Sequence, residues 1–168
     1  MWKFLCPKRH VESVQEINLH DLKEKGIKGI ITDLDNTLVC WNDEAVLPAV
    51  TKWLKEAKEK GFQVCIVSNN NKERCEQLSW NLELPAIWQA VKPRRRSFLR
   101  ALKMMDLQPY QAAVVGDQVF TDILGGNRLG LYTILVKPLS RREFVGTRCV
   151  RQFEKVVLFG LKKRGHLK

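Results

Sequence analysis

Residues Ile27–Trp41 read IKGIITDLDNTLVCW. A short apolar run, Gly29-Ile30-Ile31, passes directly into two acids, Asp33 and Asp35, and then Asn36 and Thr37. Such a run makes poor soluble surface. It reads as a buried strand that carries its acids to the open end of a sheet. Strand side chains alternate with period two, so the D-L-D spacing puts both carboxylates on one face. Carboxylates this close repel each other unless a cation lies between them. A hard, oxygen-binding ion suits the pair, and Mg2+ fits best. An exposed Asp-rich turn after a strand would give the same letters, so D-x-D by itself leaves both readings open.

Working outward, strands alternate with helices. Asn18 caps a short predicted helix, Leu19 to Lys25, and Gly26 stops it. Pro48 opens a helix with Val50, Trp53, Leu54 and Ala57 at core-facing spacing, and Gly61 ends it. Strands are predicted over 62–67, 86–91, 112–115 and 131–136. The helices between them begin near Asn71, Pro93 and Phe120. This alternation predicts a parallel sheet covered on both faces. Residues 1–17 carry little signal.

Three further polar groups stand where predicted strands end: Ser68 in VCIVSNNN, Lys92 in AVKP, and Asp117 with Asp122 in VVGDQVFTD. Each has a plain reading alone. Ser68 could belong to a helix cap, Lys92 to the surface and Asp117 to a turn. Falling in order at successive strand ends, they read together as one site.

Asp-x-Asp-x-Thr followed by that Ser, Lys and acidic pair resembles the haloacid dehalogenase (HAD) superfamily. GIKGIITDLDNTLV, SNN, KP and GDQVFTDILGGNRLG resemble more closely its capless YqeG-type phosphatases, to which mitochondrial phosphatidylglycerophosphatases are related. The likeness runs from about Gly26 to Val136. It implies an α/β fold, a three-layer Rossmann-like core with a parallel five-stranded sheet flanked by helices. Relatives insert a lid domain between Asp33 and Ser68 or between Ser68 and Lys92. Each interval here holds one helix only, so no cap domain is expected and the site should lie open.

The resemblance also implies a reaction, the hydrolysis of a phosphomonoester through an aspartyl-phosphate. Asp33 would be the nucleophile and Asp35 the acid–base group; relatives without an acid there are transporting ATPases or dehalogenases. Mg2+ would be held by Asp33, the Asp35 carbonyl oxygen and Asp117. Thr37, Ser68, Asn69 and Lys92 would hold the phosphate, Ser68 and Lys92 also assisting catalysis. Asp122 would orient Lys92 or reach the metal through water. The implied substrate is a lipid phosphate resembling phosphatidylglycerophosphate, with a soluble phosphate as the close variant.

The 168 residues suit one domain. The net charge of +11 is uneven. Residues 1–136 hold 19 Lys/Arg and 16 Asp/Glu, a net +3, whereas residues 137–168 hold ten and two, a net +8. We therefore divide the chain into a phosphatase core, 1–136, and a basic, partly amphipathic helical tail, 137–168. Basic and aromatic residues at this density suit an anionic membrane surface. They suit equally a helix packed on the sheet with a solvated basic face. RNA or a ribosome is the further alternative, in which the fold would serve only as a binding module. Arg94–Arg96, just after Lys92, could draw an anionic substrate to the site or form a solvated face. Five cysteines without a C-x-x-C pair point to free thiols in a reducing compartment. With no signal peptide or spanning run, a cytoplasmic protein is expected, peripheral on the inner face of the membrane if the tail binds lipid.

Overall fold

The computed structural model describes residues 2–140 and 145–163. Asn18 starts the first helix as expected, its side chain accepting from the backbone N–H groups of His20 and Asp21. That helix, α1 (Leu19–Glu24), ends at Gly26, whose φ of 74° is the left-handed value a helix stop requires. Strand β2 (Gly29–Thr32) follows, with all four residues buried. Then come α2 (Pro48–Glu59), β3 (Gln63–Val67), α3 (Lys72–Leu82) and β4 (Ala86–Ile87). The second half runs through α4 (Arg95–Met104), β5 (Ala112–Gly116), a wide π-helical turn (Val119–Ile123), α5 (Leu124–Asn127) and β6 (Tyr132–Val136).

Among the described residues the sheet is wholly parallel and has six strands, one more than expected. The extra strand is β1 (Arg9–Val11), from the lead-in segment that carries little signal, and it pairs with β6 at the sheet edge. Three residues of mixed polarity are too few to show alternation. The strand order is β1-β6-β5-β2-β3-β4, so β2 lies inside with β5 on one side and β3 on the other. Asp33 thus leaves the sheet among the carboxyl ends of its neighbours.

Period two divides the strand residues between two cores. Ile30, Val64, Ile66, Ala113 and Val115 pack with Leu22, Trp53, Leu54 and Leu78. Ile31, Cys65, Val67 and Val114 pack on the other face with Phe98, Ala101 and Leu102 of α4. Three layers result, and no inserted domain covers either interval where a lid would enter.

The predicted strand over 86–91 is cut short. Beyond Ile87 the chain leaves the ladder and wraps the turn that follows β3. Gln89 N–H donates to Asn70 O and Ala90 N–H to Ser68 O, and both Gln89 and Val91 have positive φ. This detour, ending in a cis Lys92–Pro93 peptide, delivers Lys92 to the site.

Helix α6 (Val145–Lys163) completes the described chain. Val157 and Leu161 pack on Val119, Ile123 and Leu135. Arg141, Arg142 and Phe144, expected in the tail helix, lie outside the described residues. Gly146 and Gly160 both fall within α6 without ending it.

Candidate active site

Asp33 stands one residue past β2, 8% exposed, and its N–H donates to Val115 O across the strand pair. Lys92 Nζ donates to Asp33 Oδ1 at 2.6 Å and to Asp122 Oδ1 at 2.7 Å. Burial alone would push the Lys92 ammonium down; the two carboxylates, Asp122 foremost, push it up instead. Burial pushes Asp33 up to about 6, opposed by Lys92 and reinforced by Asp122. Asp122 spends its second oxygen on Gln118 N–H and the Thr121 hydroxyl, both at 3.2 Å. Asp122 thus contacts Lys92 directly and is held in place from its other side. That approach needs Gly116, because a Cβ there would lie 2.2 Å from the Asp122 carboxyl carbon.

Asp117 follows β5 and is 2% exposed. Oxygens of Asp33, Asp117 and Asp122 lie within 4.8 Å of one another. Arg151, reaching in from α6, forms an ion pair with the Asp117 carboxylate, donates to the Asp117 carbonyl oxygen, and pairs with Glu154 at 3.1 Å. Burial still pushes the Asp117 carboxyl well above its usual range against the pull of Arg151. Three carboxylates face two side-chain cations, and Asp117 Oδ1 is buried without a hydrogen-bond partner among the described residues. A hard divalent cation fits this donor set.

The Asp35 and Asp33 carboxylates do not share a side-chain cation among the described residues. The charges are separated, and each acid has its own partner. Asp35 Oδ1 meets Arg74 Nε at 2.8 Å, and its Oδ2 accepts from Asn70 Nδ2 at 2.8 Å. Leu34, between the two acids, is fully buried.

Ser68 closes β3 and accepts from Asn70 N–H at 3.1 Å. Asn69 Oδ1 accepts from Lys92 N–H at 2.7 Å, so Asn69 fixes the backbone of Lys92. Its Nδ2 has no partner among the described residues. A cleft of about 440 Å³ opens over these groups, lined by Asp33, Asp35, Ser68, Asn69 and Lys92, with Trp41, Asn42 and Gln118 on its walls. Thr37 is outside that lining. It is 1% exposed, and its hydroxyl is buried without a hydrogen-bond partner among the described residues.

Two groups escaped the sequence reading. Arg74 occupies the first turn of α3, where the helix dipole disfavours a cation, and that misplacement was the available signal. Arg151 carried no signal that set it apart from the other tail arginines. At 14% side-chain exposure it is held on Asp117 and Glu154. Gly125 and Gly126, whose role chemistry alone could not read, permit close packing: Cβ atoms there would lie 2.5 Å from the Phe98 ring and 2.7 Å from Thr133 Cγ2.

The family model for mitochondrial PGP phosphatase matches residues 2–139. The chain is 45% identical to the probable phosphatase YqeG of Bacillus subtilis (strain 168), over 98% of this chain and 96% of that one. It is 29% identical to the chloroplastic/mitochondrial phosphatidylglycerophosphate phosphatase 1 of Arabidopsis thaliana, over 97% of this chain and 50% of that protein. Among solved structures, a HAD phosphatase from Thermococcus onnurineus superposes with a TM-score of 0.52 at 21% identity, over 60% of this chain and 50% of that one. An uncharacterised protein from Listeria monocytogenes serotype 4b gives 0.55 at 17%, over 82% and 99%. These two likenesses show the fold. With this family match and the Bacillus subtilis relative in agreement, the chain belongs to the mitochondrial PGP phosphatase family.

Proposed function

We propose that this phosphatase is a Mg2+-dependent phosphomonoester hydrolase that works through an aspartyl-phosphate on Asp33 and takes a lipid phosphate as substrate. The observation that carries the reading is Lys92, whose ammonium bridges Asp33 and Asp122 beside Asp117 at the floor of an open cleft. Lys92 favours the ionised, nucleophilic form of Asp33 and offers its ammonium to the phosphoryl oxygens. Asp33 attacks phosphorus as the bond to the leaving oxygen breaks, and Asp35 gives that oxygen its proton. Asp35 then takes a proton from the water that attacks the phosphoaspartate, which frees Asp33 and inorganic phosphate. Ser68 and Asn69 Nδ2 hold the phosphoryl oxygens. Asp33, Asp117 and the Asp35 carbonyl oxygen would hold Mg2+, which when bound supplies charge to the phosphoryl group.

Three things support a lipid substrate: the open cleft, the name of the Arabidopsis relative, and the outer face of α6. Phe153, Val156 and Phe159 stand 68–71% exposed there, next to Lys155, Lys162 and Lys163. That face suits the interface of an anionic leaflet, where each basic residue is worth about 1 kcal/mol. No helix among the described residues is long and apolar enough to cross a membrane. On this reading the protein works at the inner, cytoplasmic surface.

The test is a panel of lipid, nucleotide, sugar and aryl phosphates with and without Mg2+. Phosphatidylglycerophosphate in vesicles should be turned over fastest, and chelation should stop all turnover. Preference for a soluble phosphate would overturn the lipid assignment, and tighter binding of RNA than of anionic vesicles would overturn the membrane one.

A further inference from the structure

Arg74 has no part in the reaction above, yet its side chain is 15% exposed and committed on several sides. Nε donates to Asp35 Oδ1 at 2.8 Å, and Nη2 lies 2.7 Å from the same oxygen. Nη2 also reaches the carbonyl oxygens of Cys40 at 3.2 Å and Asp43 at 2.8 Å. One guanidinium therefore joins α3, the Asp35 carboxylate and the loop that carries Trp41 and Asn42 to the cleft wall. A cation in the first turn of a helix is opposed by the dipole. Its pairing with Asp35 offsets that cost, and charge-assisted bonds of this kind are short and directional.

Proton transfer requires Asp35 within hydrogen-bond reach of the leaving oxygen. A displacement of about 1 Å in such a group can cost about 100-fold in rate. In a chain with no inserted lid, the Cys40–Asp43 loop is also the wall against which a substrate would lean. Anything that moves the loop moves Asp35 through the same guanidinium.

We infer that Arg74 is a positioning residue that holds Asp35 and the Trp41–Asn42 wall as one unit, so that seating the substrate and aiming the proton are set together. The inference rests on the phosphatase reading in one respect: Asp35 must be the acid–base group.

The test compares the wild type with Arg74→Gln and Arg74→Lys on two esters, nitrophenyl phosphate and a simple alkyl phosphate. Nitrophenolate leaves without needing a proton, whereas an alkoxide needs one. Arg74→Gln should lose about 100-fold in kcat on the alkyl ester and about a tenth of that factor on the aryl ester, with little change in KM. Arg74→Lys, which keeps a charge but not the fork, should recover part of the alkyl activity. Adding Arg74→Gln to Asp35→Asn should slow the alkyl ester no further. Backbone hydrogen exchange should quicken across residues 40–45 in Arg74→Gln and stay as in wild type in the sheet. Equal losses on both esters, additive losses with Asp35→Asn, or unchanged exchange across 40–45 would each overturn the inference. If Arg74→Gln does not fold, Arg74→Lys carries the same comparisons. A wild type that turns over neither ester would sink the phosphatase reading instead, and the exchange measurement would still decide whether Arg74 governs the loop.

Discussion

Two arginines reach the acids of this site from opposite sides, and they come from different parts of the molecule. Arg74 rises from α3, inside the stretch that matches the family, and holds Asp35 together with a wall of the cleft. Arg151 comes from α6, beyond residue 139 where that match ends, and holds Asp117. Arg74 joins an acid to the Cys40–Asp43 loop. Arg151 sits where a divalent cation would compete for the same carboxylate. The first reads as permanent construction and the second as a replaceable partner, so substitutions around the two should behave differently toward Mg2+.

The largest expected effect lies between the two arginines. Lys92→Met would leave Asp33 and Asp122 buried without their shared cation. Removing one partner of a buried ion pair costs ~3–5 kcal/mol, so a large drop in melting temperature should accompany loss of turnover. Added Mg2+ should restore part of the stability and none of the activity. A variant of wild-type stability would show that the bridge does not hold the site together.

On the Arg74 side, Asp35→Asn should slow hydrolysis of an unactivated ester by ~100-fold or more, the usual worth of one positioned acid–base group. The loss should shrink for nitrophenyl phosphate. Rates measured over a series of leaving groups decide it, since a uniform loss would remove Asp35 from the acid role.

On the Arg151 side, Arg151→Gln should destabilise the metal-free protein by about 1–3 kcal/mol, the cost of a buried group left unpaired. Saturating Mg2+ should close most of that gap, because the ion answers the same carboxylate. Thermal unfolding with and without Mg2+ measures this directly. Arg74→Gln should show no such rescue, and equal behaviour of the two variants would dissolve the contrast between them.

The smallest effect concerns pH. Burial pushes Asp33 up to about 6 in the metal-free protein. Below that pH the folded chain carries a proton that Mg2+ must displace, because metal binding to a carboxylate releases protons. Apparent Mg2+ affinity should therefore weaken by up to about tenfold per pH unit below 6 and be flat, as far as Asp33 is concerned, above it. Calorimetric titration at pH 5, 6 and 7 would check the slope, and a flat profile throughout would take Asp33 out of the metal's coordination.

Much of this was legible in the residues, for physical reasons that also mark the limits. Buried parallel strands are apolar on both faces, so β2, β3 and β5 announce themselves. The edge strand β1 is three residues long and partly exposed, which leaves no pattern to read. The strand before Lys92 was drawn too long because Trp88 and Ala90 suit a strand as well as they suit the turn they form. Position 74 and positions 94–96 carried the same cue, basic residues at a helix start. Arg74 turned inward onto Asp35, whereas Arg94, Arg95 and Arg96 stayed exposed. Propensity cannot separate these outcomes, because an acid brought near by the fold decides them. Arg151 was illegible for a related reason: its partner, Asp117, belongs to a strand end that only tertiary packing brings beneath α6.

The most direct test of the account is to look for phosphate on Asp33. Wild-type protein mixed with substrate and Mg2+ would be quenched in acid within a single turnover, and its peptides weighed. A phosphoryl group on the peptide holding Asp33, absent in Asp33→Asn and lost when the quench is delayed past turnover, is the predicted result. Turnover with no phosphoprotein at any time, together with activity retained in Asp33→Asn, would contradict it.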